Sequence, residues 1–144
     1  MNLTATTNQW LKIGEVAKES KLPVKTIRYY EELGLLTPTV QRTQSGYRLF
    51  EESVFNRLAF IKRSQSLGLS LDEIHKILAV RDGGELPCGV VKELLLHKLE
   101  AIEEQIKALE ILKSELQGLL SGWQDTPSYE KIAQTICPNI QAEI

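Results

Sequence analysis

Residues 11–36, LKIGEVAKESKLPVKTIRYYEELGLL, contain the pattern that decides the fold. Ile13, Val16 and Ala17 recur at the spacing of one helical face, which predicts a short amphipathic helix. The next residues, SKLP at 20–23, predict a tight turn.

A second short helix is predicted directly after that turn. Pro23 suits its first position, where the missing N–H is no loss. The helix is predicted to run to about Leu33, with Gly34 as a left-handed stop. Two short helices joined by a turn of this length predict a helix-turn-helix.

A hairpin is predicted to follow the two helices. Two short extended pieces, residues 41–43 and 47–50, flank the turn pair Ser45-Gly46. A hairpin directly after a helix-turn-helix is a wing, and the basic residues of this wing are Arg42 and Arg48.

Two more helices are predicted after the wing, one over residues 51–67 and one starting at the capping box of Ser70 and Glu73. The glycine pair at 83–84 then predicts a hinge over residues 81–87. The sequence therefore predicts a winged helix-turn-helix domain over residues 11–80.

A long helix over residues 88–121 is the third predicted segment. Seven of eight positions spaced alternately by four and three residues are apolar, which is a heptad seam. Such a helix is about 50 Å long, and the head is too small to cover a stripe of that length. The seam therefore predicts a homodimer rather than packing against the head. Its predicted dimerisation residues are Leu95, Leu99, Ile102, Ile106, Leu109 and Leu116.

Composition is that of a globular protein, with 42% hydrophobic and 25% charged residues. No apolar run approaches the ~20 residues that span a bilayer, and residues 1–10 predict a flexible tail rather than a signal peptide. We therefore expect a cytoplasmic protein without a membrane partner. Residues 1–80 carry 11 Lys and Arg against 8 Asp and Glu, whereas residues 81–144 carry 6 against 11. This small asymmetry suits a nucleic-acid head on an acidic arm.

The second helix carries the residue types that read DNA. Residues near the start of such a helix reach base edges in the major groove, where Arg pairs with guanine, while Lys and Tyr reach phosphates. Consecutive residues point about 100° apart, so one of Tyr29 and Tyr30 belongs to the core, and we expect it to be Tyr30. The predicted DNA-binding residues are Lys25, Thr26, Arg28, Tyr29, Arg42, Tyr47 and Arg48.

An enzyme and a coiled-coil adaptor are the rival classes. His75 and His97, with two cysteines, could form a catalytic pair, but they lie on predicted helices without a nucleophile motif nearby. The adaptor predicts no winged head. We therefore expect a non-enzymatic, mostly α protein that binds double-stranded DNA.

Four motifs together resemble the mercury-resistance regulator (MerR) family: IGEVA at 13–17, TIRYYE at 26–31, GLL at 34–36 and GYR at 46–48. The resemblance covers residues 11 to about 120. It implies an antiparallel pairing of the long helices, and a dimer that bends and untwists a promoter spacer so that its elements realign for RNA polymerase. In this mechanism Arg28, Tyr29 and Arg48 grip the DNA backbone.

The resemblance also implies what triggers the dimer. Cys88 resembles the cysteine that opens the long helix in metal-sensing members, and Cys137-Pro138 resembles their terminal Cys-Pro segment. Those members usually carry another cysteine where this chain has Trp123, which leaves the coordination number open. Only about 23 residues follow the long helix, too few for the domain of the drug-binding branch. Residues 122–144 are therefore predicted to be an effector-binding tail.

The two cysteines are expected to meet across the dimer interface. An antiparallel partner brings its helix end beside the first chain's helix start, so Cys88 of one subunit meets Cys137 of the other. Two thiolates suit Hg²⁺ or Cu⁺, while Zn²⁺, Cd²⁺ and Pb²⁺ are further alternatives and Zn²⁺ or Cd²⁺ would want more ligands. His97 is a conceivable third ligand that better fits a packing role. Burial of the cysteines as small apolar residues and thiol oxidation are the other interpretations.

Overall fold

The structure is a computed structural model and describes residues 9–141. Of the tail predicted for residues 1–10, residues 1–8 therefore lie outside the described part. The chain divides into two compact units, one ending at Lys98 and the other beginning at Leu99. The elements are β1 (Leu11–Lys12), α1 (Ile13–Ser20), α2 (Val24–Glu32), a 3₁₀ turn (Thr37–Thr39), β2 (Val40–Arg42), β3 (Arg48–Phe50), α3 (Val54–Ser66), α4 (Leu71–Asp82), α5 (Cys88–Ser121) and α6 (Tyr129–Gln134).

This order confirms a mostly helical chain with a winged helix-turn-helix head and a long helix. Among residues 9–141, no helix is both long and apolar enough to cross a membrane.

The turn between α1 and α2 is tight, as predicted, but the second helix starts one residue later than expected. Pro23 has φ −61° and ψ 146°, so it is the extended residue before the helix rather than its first helical residue. Its carbonyl accepts hydrogen bonds from the N–H groups of Thr26 and Ile27, at 3.0 and 3.2 Å. Gly34 ends the helix at φ +80°, the left-handed conformation that glycine adopts without strain.

The wing belongs to a three-stranded antiparallel sheet in the order β1-β3-β2. Leu11 of β1 and Val40 of β2 flank Phe50 of β3, which is completely buried. Strand β1 could not be predicted from the sequence, because two residues are too few to show an alternating pattern. Only pairing with β3 makes this segment a strand.

Helices α3 and α4 complete the head. The predicted capping box is present: the Ser70 hydroxyl accepts the Glu73 N–H at 3.1 Å, and the Glu73 carboxylate accepts the Ser70 N–H at 2.9 Å. Helix α4 continues to Asp82, so the first two residues of the hinge predicted at 81–87 are helical instead. The core joins all the helices of the head and consists of Val16, Ile27, Tyr30, Leu35, Leu36, Phe50, Val54, Leu58, Ile61, Leu69, Ile74, Ile77 and Leu78.

Arg57 on α3 connects the segment after α2 to the end of α4. Its Nε donates to the Leu35 carbonyl, and its two terminal nitrogens donate to the two carboxylate oxygens of Asp82, each at 2.7 Å. The Arg57 side chain is 10% exposed. A bidentate pair of this kind is stronger than a single neutral hydrogen bond. The hydrogen bonds from Arg57 hold the pKa of Asp82 below its usual value.

We predict that Asp82→Asn lowers the free energy of unfolding at pH 7 by about 1 kcal/mol, since the carboxylate is partly exposed and screened by solvent. The pKa of Asp82 is lower in the folded chain than in the unfolded chain. The pair therefore stabilises fully above the unfolded value of about 4 and is lost as pH falls through the folded value.

Thermal unfolding between pH 2 and 8 measures this effect. The difference between the parent and Asp82→Asn should be constant above about pH 5 and shrink in acid. Glu85→Gln is the matched control, because Glu85 is exposed and has no ion pair within residues 9–141. A difference that persists at the lowest pH would contradict the role of the pair.

Candidate DNA interface and thiol site

Helix α2 has one buried and one exposed face. Ile27 is completely buried and Tyr30 is 7% exposed, whereas Tyr29 is 52% exposed. The Tyr30 hydroxyl donates to Oε1 of Gln65 on α3 at 2.7 Å, and burial raises the pKa of this hydroxyl. The expectation that Tyr30 is the core tyrosine is confirmed.

The opposite face of α2 presents the predicted DNA-binding side chains. Lys25, Arg28 and Tyr29 are exposed, and Thr26 is half-buried beside them. No ion pair engages Lys25 or Arg28 within the part of the chain that the structure describes. Two unpaired cations and an exposed phenol on one helical face form a surface that can accept phosphates and base edges.

The tip of the wing presents Tyr47, which is 71% exposed. The Gly46 N–H donates to the Thr43 carbonyl at 2.9 Å, and the Thr43 N–H donates to the Tyr47 carbonyl at the same distance. Gly46 has φ +86°, a backbone conformation that is strained for residues with a side chain. The turn therefore places Tyr47 at the outer end of the hairpin.

The two wing arginines face carboxylates at the end of α2. Nη2 of Arg42 lies 3.4 Å from Oε2 of Glu31, and Nε of Arg48 lies 3.2 Å from the same oxygen. Nη2 of Arg48 also lies 3.5 Å from Oε1 of Glu32. The side chain of Arg42 is 50% exposed but that of Arg48 only 16%. Contact of Arg48 with the DNA backbone stays a prediction. In this chain the guanidinium of Arg48 is ion-paired with Glu31 and Glu32.

The contacts of Glu31 and Glu32 were not predicted from the sequence. A signal for them was present, because two acidic residues end a helix whose C-terminus is the negative end of its dipole. Two carboxylates at that end of a helix are stabilised by a nearby cation. The hairpin register needed to identify the cation is visible only in the folded chain.

Most of the predicted seam of α5 is exposed in the single chain. Five seam residues are about half to two-thirds exposed, and none of the residues in this helix is fully buried. Leu95 differs, because it packs against the core of its own head while remaining partly exposed. The exposed seam residues are Leu99, Ile102, Ile106, Leu109 and Leu116.

The two thiols lie in different units and both have access to solvent. Cys88 is exposed at the first position of α5, and Cys137 is half-buried in the tail. His97 is exposed, so the packing role expected for it is not seen in this chain. Among residues 9–141, no three His, Cys, Asp or Glu side chains are grouped so that they could hold a metal ion.

The tail is held close to the end of α5 by side-chain amides. Asn139 accepts the Gln124 N–H at 2.8 Å and donates to the Gln124 carbonyl at 3.0 Å. Oε1 of Gln141 accepts the N–H groups of Ile136 and Cys137, at 2.7 and 3.0 Å. These contacts close the long loop, so Cys137 lies two residues from a point fixed to the segment that follows α5.

Comparison with known proteins matches this chain to MerR-type regulators. The model of the MerR helix-turn-helix regulatory proteins matches residues 11–80, and a MerR DNA-binding model matches residues 55–119. A mercuric resistance operon regulatory protein of Bacillus cereus is 41% identical over 108 residues, which cover 75% of this chain and 81% of that protein. A probable heavy metal-dependent transcriptional regulator of Haemophilus influenzae is 38% identical over 116 residues, covering 81% of this chain and 87% of that protein.

A solved structure supports the same relationship. The transcription regulator PbrR691 from Ralstonia metallidurans, in complex with lead(II), matches with a TM-score of 0.73 and 33% identity, covering 93% of this chain and 99% of that one. The relatives are named as regulators, in agreement with the prediction that this chain is not an enzyme. The chain belongs to the MerR family of helix-turn-helix regulatory proteins.

Proposed function

We propose that the chain is a DNA-binding transcription regulator that works as a homodimer and responds to a soft metal ion held by cysteines. The observation that carries the DNA-binding part is the exposed face of α2. Lys25, Arg28 and Tyr29 share that face, and the core residues on the other side of the helix prevent it from turning away. Thr26 of the helix and Arg42, Tyr47 and Arg48 of the wing complete the proposed interface.

The proposed mode of action is deformation of the promoter. Helix α2 would enter the major groove while the wing contacts the backbone beside it. A dimer that holds two such heads at a set separation can bend and untwist the DNA between them, and this deformation carries energy and specificity. RNA polymerase would then act on the realigned promoter without direct contact with this chain.

The homodimer would form through the seam of α5. Leu99, Ile102 and Ile106 expose about half of their side-chain surface at adjacent turns. A regular apolar stripe on a 34-residue helix is the pattern that a second helix covers in a coiled coil. An antiparallel arrangement would bring the start of one α5 beside the end of the other.

The chemistry of the two thiols fits a soft metal ion. Cys88 opens α5, and Cys137 is fixed to the segment after its end by the Asn139 contacts. In an antiparallel dimer Cys88 of one subunit and Cys137 of its partner would therefore be neighbours. Two thiolates suit Hg²⁺ or Cu⁺, while Zn²⁺, Cd²⁺ and Pb²⁺ are the further candidates. The bound ion would supply a cross-link between subunits.

The metal response is also suggested by the relatives, whose names include mercury, heavy metal and lead(II). Thiol oxidation, or another small effector, is the competing trigger, since Cys88 is a free and exposed thiol that an oxidant can reach. The two triggers are distinguished by whether the parent responds to a metal ion or only to peroxide.

The first prediction from the proposed function concerns DNA contact. Arg28→Ala should weaken promoter binding and lower the slope of log affinity against log salt by about one, because one phosphate contact is lost. Fluorescence anisotropy at several salt concentrations measures both quantities. Lys107→Ala removes the same charge from α5, outside the winged head, and should change neither. Equal slopes for Arg28→Ala and the parent would count against the assigned contact.

The second prediction concerns assembly. Replacing Ile102 and Ile106 together by Lys should give a monomer with much weaker DNA binding, because charges on the seam cannot be buried unpaired. Sedimentation velocity measures the oligomeric state. Ile111→Lys is the matched control, since Ile111 is 63% exposed and lies about 140° around α5 from Ile106. A double variant that remains dimeric would show that the seam is not the interface.

The third prediction concerns the trigger. Cys88→Ser and Cys137→Ser should each abolish transcription activation by the ion that activates the parent, while DNA affinity without metal is retained. Each of the five ions is tested on a reporter promoter, and thiolate-to-metal absorbance is followed on the purified reduced dimer. Variants that respond to every ion as the parent does would rule out the site. A parent that responds to peroxide but to none of the ions would favour the oxidation trigger.

A further inference from the structure

The recognition helix α2 ends in two acidic residues, Glu31 and Glu32. Carboxylates in the last turn lie at the negative end of the helix dipole, which disfavours them. On a DNA-binding head they also repel the phosphates that the neighbouring cations attract. Their position therefore has two electrostatic costs that a local contact must offset.

Glu31 has that contact and Glu32 has little of it. The Glu31 side chain is 13% exposed, whereas the Glu32 side chain is 62% exposed and reaches Arg48 only at 3.5 Å. Oε2 of Glu31 lies within 3.4 Å of Arg42 and within 3.2 Å of Arg48. The second contact is an ion pair without an aligned hydrogen bond, since Nε of Arg48 has no hydrogen-bond partner in the described residues.

The two arginines occupy one rung of the hairpin. Arg42 ends β2, Arg48 begins β3, and the two residues pair directly across the antiparallel ladder. One carboxylate of the recognition helix thus contacts both strands of the wing at the place where the sheet gives way to the turn.

The sheet fixes the base of the wing, because β3 pairs with β1 at Leu49 and Phe50 and Val40 packs against the core. Beyond that base, the wing has few other contacts that could hold its direction. From Gln41 to Leu49 no residue is fully buried, and none of them belongs to the core or packs against it. Arg42 also donates to the Gly46 carbonyl at 3.4 Å, which holds the hairpin to itself but not to the helix. The link between wing and helix in this region is therefore electrostatic.

We propose that Glu31 is a positioning residue for DNA binding: it sets the direction of the wing relative to the recognition helix through Arg42 and Arg48. The inference rests on the proposed DNA-binding function. With the wing held by Glu31, the contacts of α2 with bases and those of Tyr47 with the backbone form together. Without Glu31, the outer part of the wing is less restrained, and the entropy lost in ordering it opposes the second set of contacts.

Glu31→Gln distinguishes this role from simple charge repulsion by the sign of its effect. If Glu31 only repels phosphates, removing its charge raises the affinity for DNA. If it positions the wing, its loss lowers the affinity in spite of the more favourable net charge. Loss of an ion pair of this kind corresponds to about a 5-fold weaker affinity.

The experiment measures promoter affinity of the full-length chain over a range of salt concentrations. Glu31→Gln should bind about 5-fold more weakly, and amide hydrogen exchange at Thr43 and Gly46 should accelerate without a matching fall in the melting temperature. Glu19→Gln is the matched control, because it removes the same charge from an exposed residue of α1 that has no ion pair in the described residues. It should leave affinity unchanged or raise it slightly.

A double-mutant cycle with Arg48→Gln tests whether Glu31 acts through the arginine. The combined variant should lose less affinity than the two single losses added together. Glu31→Asp keeps the charge on a shorter side chain and should bind with intermediate affinity. This variant tests the same contact if Glu31→Gln folds poorly.

Two outcomes would overturn the inference. One is a Glu31→Gln chain that binds as tightly as the parent or more tightly; the other is strict additivity in the cycle. A parent that fails to bind promoter DNA at all would instead overturn the proposed function, and this inference with it.

Discussion

Burial of Ile27 and Tyr30 on one side of α2 is the constraint on which the rest of the head depends. Because successive residues of a helix point about 100° apart, burying these two turns Lys25, Arg28 and Tyr29 outward. The hydrogen bond from Tyr30 to Gln65 on α3 fixes the rotation further, since a buried hydroxyl without a partner is costly. The chemistry of the outer face is thus held in place by the packing of the inner one.

Four arginines of the head differ in what their guanidinium groups contact. Arg57 is nearly buried and its donors are occupied by Leu35 and Asp82, so it holds three segments of the head together. Arg28 is exposed and has no ion pair in the described part of the chain, so its guanidinium is open to an incoming anion. Arg42 and Arg48 lie between these cases, because Glu31 contacts them at the edge of the proposed DNA interface. The carboxylates thus decide which guanidinium groups are occupied within the chain and which stay open to an anion.

Helix α5 differs from the head, because much of its apolar stripe is exposed to water in the single chain. A surface of this kind favours association. The tail likewise leaves Cys137 partly accessible to solvent. Its side-chain amides close the loop between Gln124 and Asn139 and leave Cys137 half-buried. If the seam pairs as proposed, the apolar stripe and the thiol chemistry are completed by the same event, which would make metal binding sensitive to the arrangement of the dimer.

Local spacing and short motifs were enough to predict the presence of the main helices, the tight turn before α2, the capping box at Ser70, the choice of Tyr30 over Tyr29 and the family. They did not fix helix ends, since α2 begins after Pro23 and α4 continues to Asp82. Tertiary structure alone decided strand β1, whose two residues become a strand only by pairing with β3. It also decided the partners of Arg48, since the contact with Glu31 joins residues 17 apart and depends on hairpin register. Local pattern cannot reveal such contacts, because the pairing of distant charges is settled by how the wing packs beside the helix.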